Sequence, residues 1–144
     1  MRRARLLLTL PALVTLIVPL LMDSNQTHQL NEAWPAHARY HGAVLLSANV
    51  IAGAISMWLL WGARGSDAAS QLHRLRTAAL LPALLWGSFF PALLAPGTST
   101  WPDGMGRVEA LPFAPNVIIG GLMVALCIAG AWMAGRASET AIRK

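Results

Sequence analysis

The sequence predicts an all-α integral membrane protein, folded as one antiparallel four-helix bundle. Apolar residues make up 56% of the 144 residues and charged residues only 12%, whereas about 25% of an ordinary soluble domain is charged. The mean hydropathy is +0.52. The apolar residues fall in four long runs without charge, and a chain of this length fits a single domain covering residues 1–144.

Composition also excludes two classes of protein. The formal net charge of +5 and the pI near 11.1 would suit nucleic-acid binding, but the basic residues lie at the ends of the apolar runs rather than along one face. We therefore expect the lipid bilayer, and no nucleic acid, as a partner. Cys127 is the single cysteine, so one chain cannot form a disulfide or use a thiol pair in redox chemistry.

The first predicted span covers about residues 5–22. Arginines crowd residues 1–5, and the run from Leu6 to Met22 then carries no charge. At about 1.5 Å per residue, such a run is long enough to cross a hydrocarbon core of roughly 30 Å. The segment also resembles a signal peptide, but its exit reads LLMDSNQ and lacks a small-x-small cleavage pattern. We therefore expect an uncleaved helix.

The second predicted span covers about residues 42–62, but its helix should begin earlier. Trp34-Pro35 is a helix-start signal, because proline is well tolerated at the first helical position. No helix breaker lies between Pro35 and Gly42. The helix is therefore predicted to begin near Trp34 and to continue without interruption into the membrane.

The third and fourth spans are predicted at about residues 76–95 and 115–135, since both segments are apolar and bounded by proline and glycine. In the fourth span Gly121, Ala125 and Ala129 recur every four residues. Small residues at that spacing predict a close helix contact on their face.

Orientation follows from the distribution of lysine and arginine, which together number 11. Only Arg39 and Arg107 lie in the two loops predicted on the outer side, residues 23–41 and 96–114. The other nine lie before the first span, between the second and third, and after the fourth. This positive-inside pattern predicts a multi-pass cell-membrane protein with both termini in the cytoplasm and the two outer loops on the periplasmic or extracellular side.

The two outer loops should be neighbours, because an up-down-up-down bundle places both at the same end. We expect residues 97–109 to cover the outer mouth of the bundle. Arg39 and Arg107 would then have acidic residues of both loops within reach.

The polar stretch DSNQTHQLNEAWPAHARYH, residues 23–41, holds three of the four histidines and is the candidate site. His37 and His41 are spaced i, i+4, which on a helix puts them on one face about 5–6 Å apart. We expect this pair to handle protons, because imidazole exchanges them near neutral pH. Asp23 or Glu32 would orient one imidazole. The candidate ligand-binding residues are Asn25, Thr27, His28, Asn31, Trp34, Arg39, Asn49 and Trp86, with Trp34 and Trp86 as walls of a pocket.

Other interpretations of the stretch stay open. His28, His37 and His41 could instead hold zinc or another divalent metal. Arg39 with its aromatic neighbours could grip lipid phosphates. The histidines could also serve only to cap helix ends. Two functions therefore remain: binding a lipophilic small molecule, with acid–base chemistry if it is an enzyme, or acting as a non-enzymatic metal-binding or assembly subunit. The sequence leaves the oligomeric state open.

The stretch also resembles a known family. Its motif is N-x-T-H-x-x-N-x-x-W-P-x-H-A-R-Y-H, formed here by Asn25, Thr27, His28, Asn31, Trp34, Pro35, His37, Ala38, Arg39, Tyr40 and His41. It is similar to that of small four-span membrane proteins of bacteria and fungi that carry a domain of unknown function. The family form has Asp-Trp-Asn before Thr-His, and Ser24 stands in the tryptophan position here. The resemblance implies that this stretch is the site, and it supplies no activity.

Overall fold

The computed structural model describes residues 1–62, 67–101, 111 and 113–142, and every regular element among them is helical. Helix α1 spans Arg2–Asp23. Helix α2 spans Ala36–Met57 and continues as a π-helical turn, Trp58–Gly62. Helix α3 spans Ala68–Gly87, the short α4 Phe89–Ala92, and α5 Pro115–Ile142. The predicted all-α class is confirmed for the described residues, and four of the helices are long.

Three segments are long and apolar enough to cross a membrane: Arg2–Asp23, Ala36–Gly62 and Pro115–Thr140. Helix α3 does not belong to this set. Its first turns carry His73, Arg74 and Arg76, and the uncharged stretch that follows continues past a turn at Ser88 into α4. The apolar run predicted as the third span is thus divided between two helices.

Helix α1 is central to the packing, because it contacts α2, α3 and α5. Helices α2 and α5 lie on opposite sides of the α1–α3 pair, and their described backbones do not approach each other. Leu16 of α1 lies against Gly53 of α2, and Thr9 accepts a hydrogen bond of 3.0 Å from Trp61 Nε1. Helices α1 and α2 are therefore antiparallel.

The interior is built mainly from small side chains. The core cluster consists of Ala4, Leu8, Ala12, Leu60, Leu75, Ala78, Ala79, Cys127 and Ala134. Large apolar side chains point outward instead, as in Leu21 (71% exposed) and Ile128 (64%). This distribution suits a lipid environment, in which helices associate by close contact between small residues rather than by hiding apolar surface from water.

The close contacts of α5 do not lie on the predicted small-residue face. A Cβ on Gly130 would come within 2.5 Å of Leu8, and one on Gly120 within 3.3 Å of the Trp86 carbonyl. Ala125 is exposed. The prediction from the Gly121, Ala125 and Ala129 spacing is therefore wrong, because the buried residues of α5, among them Cys127 and Gly130, lie on the opposite side of the helix.

A buried hydrogen bond fixes α1 against α3. Trp86 Nε1 donates to Thr15 Oγ1 at 2.8 Å, and the Thr15 hydroxyl donates to the Pro11 carbonyl at 2.7 Å. Trp86 also stacks on Phe89, with ring centroids 5.5 Å apart. Both polar groups are satisfied, as burial away from water requires.

Candidate functional site

The helix that carries the paired histidines begins where the sequence predicts. Helix α2 starts at Ala36, after Pro35, whose φ of −54° and ψ of 144° are extended. The Arg39 N–H donates to the Pro35 carbonyl at 3.1 Å and closes the first turn. The prediction that α2 begins near Trp34 is confirmed, and residues 37 and 41 are helical.

His37 and His41 form a direct imidazole pair. Their Nε2 atoms are 3.0 Å apart, their ring centroids 4.5 Å apart, and the rings are nearly perpendicular at 86°. A hydrogen bond between two ring nitrogens needs one donor and one acceptor, so a single proton lies between the two nitrogens. The i, i+4 spacing thus produces a contact closer than helix geometry alone requires.

The pair lies on the outer surface of the helices. Both imidazoles are exposed. Tyr40, 62% exposed, stacks against His37 at 6.3 Å and meets His41 edge-on at 5.7 Å. Val44 and Leu45, one turn further along α2, are exposed as well. The imidazoles therefore sit at the polar end of an apolar and aromatic strip that faces away from the other helices.

Two predicted site residues lie elsewhere. Asn49 is buried on the packed face of α2, and its Nδ2 donates to the Leu45 carbonyl at 2.9 Å. Trp86 is buried between α1 and α5, where it is bonded to Thr15. The structure does not bring either residue to the imidazole pair, so Trp86 and Trp34 do not wall a common pocket with it.

A second polar cluster forms within the loop that precedes α2. Asn25 Oδ1 accepts from the Thr27 N–H at 2.9 Å and from the Thr27 hydroxyl at 2.6 Å. Thr27 Oγ1 also lies 2.8 Å from His28 Nδ1. Because the hydroxyl proton is directed at an amide oxygen that can only accept, His28 Nδ1 must be the donor. His28 Nε2 is then left to exchange a proton.

Asp23 and Trp34 complete this cluster around His28. Trp34 meets His28 edge-on at 6.1 Å. Asp23 is the last residue of α1, and its carbonyl accepts from the Gln29 N–H at 2.9 Å. The Asp23 carboxyl therefore lies near enough to the His28 imidazole for their charges to interact.

Gln29 fastens this cluster to α2, and sequence reasoning did not single it out. Its Nε2 donates to the Arg39 carbonyl at 2.8 Å. Its Oε1 is buried and has no hydrogen-bond partner among the described residues, and it lies 2.5 Å from the position that a Cβ on Gly42 would take. A glycine inside a helical pattern often marks such a close approach. Gly42 was therefore the feature of the sequence that could have indicated this contact with Gln29.

The remaining predicted residues have local roles or exposed positions. Asn31 Oδ1 accepts from the Ala33 N–H at 3.0 Å, and the Asn31 carbonyl accepts from the Trp34 N–H at 3.2 Å, which shapes the turn before α2. Glu32 is exposed, and the Arg39 side chain is half-buried. Among the described residues neither Asp23 nor Glu32 bonds to the imidazole pair.

The three-histidine metal set is not assembled within one chain. No group of three His, Cys, Asp or Glu residues in the described segments is close enough to hold a metal ion. His28 belongs to the loop cluster, whereas His37 and His41 bond to each other. The described part of the chain thus brings two imidazoles together, and further ligands would have to come from outside these segments.

The predicted cover over the outer mouth falls largely on residues 102–110, which lie outside the described residues. Its described part begins at Gly97, whose φ of +74° is in the left-handed region that favours glycine. The Thr98 hydroxyl donates to the Ala95 carbonyl at 2.9 Å and closes this turn. The position of Arg107 therefore remains a prediction.

The sequence as a whole was compared with known proteins and protein families. A search of the curated proteins and a search of the solved structures found no match to this chain. A family model does match it, over residues 7–134, and so takes in all five helices in whole or in part together with the polar loop. The chain belongs to this family, which is described as the family of unknown function DUF6640.

Proposed function

We propose that this chain is a four-span membrane protein whose outer face binds a lipophilic small molecule through the His37–His41 pair and exchanges a proton with it. In this proposal α1, α2 and α5 each cross the bilayer, and α3 with α4 forms the fourth span of an antiparallel bundle. The basic helix ends lie in the cytoplasm with both termini. The polar loop before α2 then lies on the periplasmic or extracellular side.

The contact between the two imidazoles is the single observation that carries the proposal. A shared proton between two nitrogens 3.0 Å apart can be given up on one side and taken back on the other. An incoming polar group can take the place of one imidazole in this hydrogen bond, either as donor or as acceptor, and no unpaired charge results. Exposure of both rings makes that exchange accessible.

The surroundings of the pair support a lipophilic ligand. Tyr40 stacks on His37, and Val44 and Leu45 extend the exposed apolar strip along α2. In a bilayer this strip faces the acyl chains, while the imidazoles lie near the head groups. A molecule with an apolar body and one protic or carbonyl group would match both parts at once.

The loop cluster supplies a second proton-exchanging pair at the same end of α2. Asp23 and His28 are electrostatically coupled. Asn25 and Thr27 hold the His28 ring, and Gln29 ties the loop to the first turns of α2. We propose that this cluster positions the loop beside the imidazole pair and acts as its proton reservoir.

A second candidate function has its own support. Two Nε2 atoms close together on an exposed helix face are half of a tetrahedral zinc site. Since the described residues bring no more than these two imidazoles together, a partner protein or a second copy would supply the other ligands in this second proposal. The protein would then be a metal-binding assembly subunit rather than an enzyme.

Mass spectrometry of lipids bound to the purified protein, with metal analysis of the same sample, separates the two functions. We expect the wild type to carry a lipophilic compound that His37→Ala and His41→Ala bind about tenfold more weakly, a loss of about 1.4 kcal/mol. The control His73→Ala, an exposed histidine on α3, should keep the compound.

Zinc at a fixed ratio to the protein, lost in His37→Ala and kept in His73→Ala, would favour the assembly subunit instead. If both histidine variants retained the bound compound at the wild-type level, the proposed site would be wrong.

A further inference from the structure

A groove of about 300 Å³ opens between the ends of α1 and α5 that lie opposite to the polar loop. Its described lining consists of Met1, Arg2, Arg3, Ala4, Trp132, Met133, Arg136 and Ala137. Three of these residues are arginines and none is acidic. The groove is therefore a concave surface with an excess of positive charge.

The arginines are arranged around an aromatic wall. The guanidinium carbon of Arg136 lies 5.6 Å from the centroid of the Trp132 ring. This cation–π contact restricts the side chain and leaves the donors at the edge of the guanidinium available. Arg2 and Arg3 are exposed on the facing helix. A planar guanidinium fork on each side of a groove is suited to phosphate oxygens.

The first turn of α1 adds to the positive potential. It contains Arg2 and Arg3, no acidic residue, and no side-chain cap for its free N–H groups. Cations at this end of a helix oppose its dipole. An anion held between Arg3 and Arg136 would relieve that opposition.

Exposed apolar side chains follow the groove on the outer faces of the same two helices. Leu6 and Leu10 of α1 are 53% and 51% exposed, and Ile128 and Trp132 of α5 are each 64% exposed. Close contact between Leu8 and Gly130 fills the space behind these side chains. The acyl chains of a lipid whose head group occupies the groove would therefore meet an apolar surface.

From these features we infer that the groove binds one anionic glycerophospholipid, with its phosphate between Arg3 and Arg136 and its acyl chains against the exposed apolar side chains of α1 and α5. Charge complementarity and the exposed apolar side chains support this lipid, and neither depends on the outer imidazole site. A free phosphate would meet the same guanidinium groups but would leave those apolar side chains uncovered.

Native mass spectrometry of the full-length protein in neutral detergent tests the inference, with equal amounts of a phosphatidylglycerol and a phosphatidylcholine added. We expect one phosphatidylglycerol to be retained in clear preference to phosphatidylcholine. The variant Arg3→Gln/Arg136→Gln should weaken that retention by about tenfold or more. The control Arg74→Gln/Arg76→Gln removes the same charge from the same end of the helices, at positions outside the groove lining, and should retain the lipid.

Three results would overturn the inference: no preference between the two lipids, equal loss in both double variants, or release of the lipid by excess inorganic phosphate. Circular dichroism checks the helix content of each variant. If the groove double variant does not fold, Arg136→Gln alone decides, because the Arg136 side chain is exposed and its removal leaves the core unchanged. Unchanged retention in that variant would also contradict the inference.

Discussion

Replacing Gly53 with alanine is expected to destabilise the protein by about 2 kcal/mol. An added Cβ would lie 2.7 Å from the backbone N and Cα of Leu16, and backbone atoms cannot move aside as a flexible side chain can. Overpacking of this kind costs up to about 3 kcal/mol, while alanine gains about 1 kcal/mol over glycine in a helix. The difference should lower the Tm by roughly 6 °C in a chain of this size.

Gly87→Ala is the matched control for this experiment. A Cβ at Gly87 would have its nearest neighbour, a methyl of Val124, at 4.0 Å, so the variant should be as stable as the wild type or slightly more stable. Thermal unfolding of both variants in the same detergent gives the comparison. Equal Tm values for the two would mean that α1 and α2 do not pack as closely as Leu16 and Gly53 indicate.

Reporter fusions placed after Glu32 and at Lys144 are expected to report opposite sides of the membrane. The physical reason is the segregation of lysine and arginine, nine of the 11 lying on one side of the predicted spans. A fusion after Gly65 is the internal control and should report the same side as Lys144.

This result would be all-or-none, which makes it decisive for the proposed topology. The same side for Glu32 and Lys144 would require an even number of spans between them. In that case α3 with α4 would not cross the bilayer, and the proposed antiparallel bundle would be wrong.

The sequence was sufficient to predict the helices and the start of α2, because those features leave strong local signals. Long uncharged runs predict helices wherever lipid is the solvent. Trp34-Pro35 predicted the helix start that places His37 and His41 one turn apart, and the structure has them with 3.0 Å between their Nε2 atoms. A contact between residues one turn apart on one helix can be predicted without knowing which helices pack against it.

Which face of each helix meets its neighbours could not be predicted in the same way. In a membrane the packed face and the lipid-facing face are both apolar, so hydrophobic periodicity carries little information about direction. The histidine pair was expected at a covered mouth and lies on an exposed strip, while Asn49 and Trp86 are buried elsewhere. The error over Ala125 has the same cause.

The link between the polar loop and α2 was also beyond sequence reasoning. Gln29 contacts Arg39 and Gly42 through a side chain that crosses from one segment to another. Such a contact depends on how the loop folds back, and no fixed spacing encodes it. The third apolar run is likewise divided between α3 and α4 by a turn at Ser88. Apart from Gly87, the sequence at this turn contains no glycine that would predict it.

The central claim, that the paired imidazoles are the ligand site, is tested most directly by NMR of the protein labelled with ¹⁵N only in histidine. With four histidines in the chain, each imidazole can be assigned by single substitution. Addition of the membrane lipid extract from which the protein was purified should shift the Nε2 resonances of His37 and His41 together and leave those of His73 unchanged. Equal shifts at His73, or no shift at His37 and His41 while a lipophilic compound binds, would contradict the account.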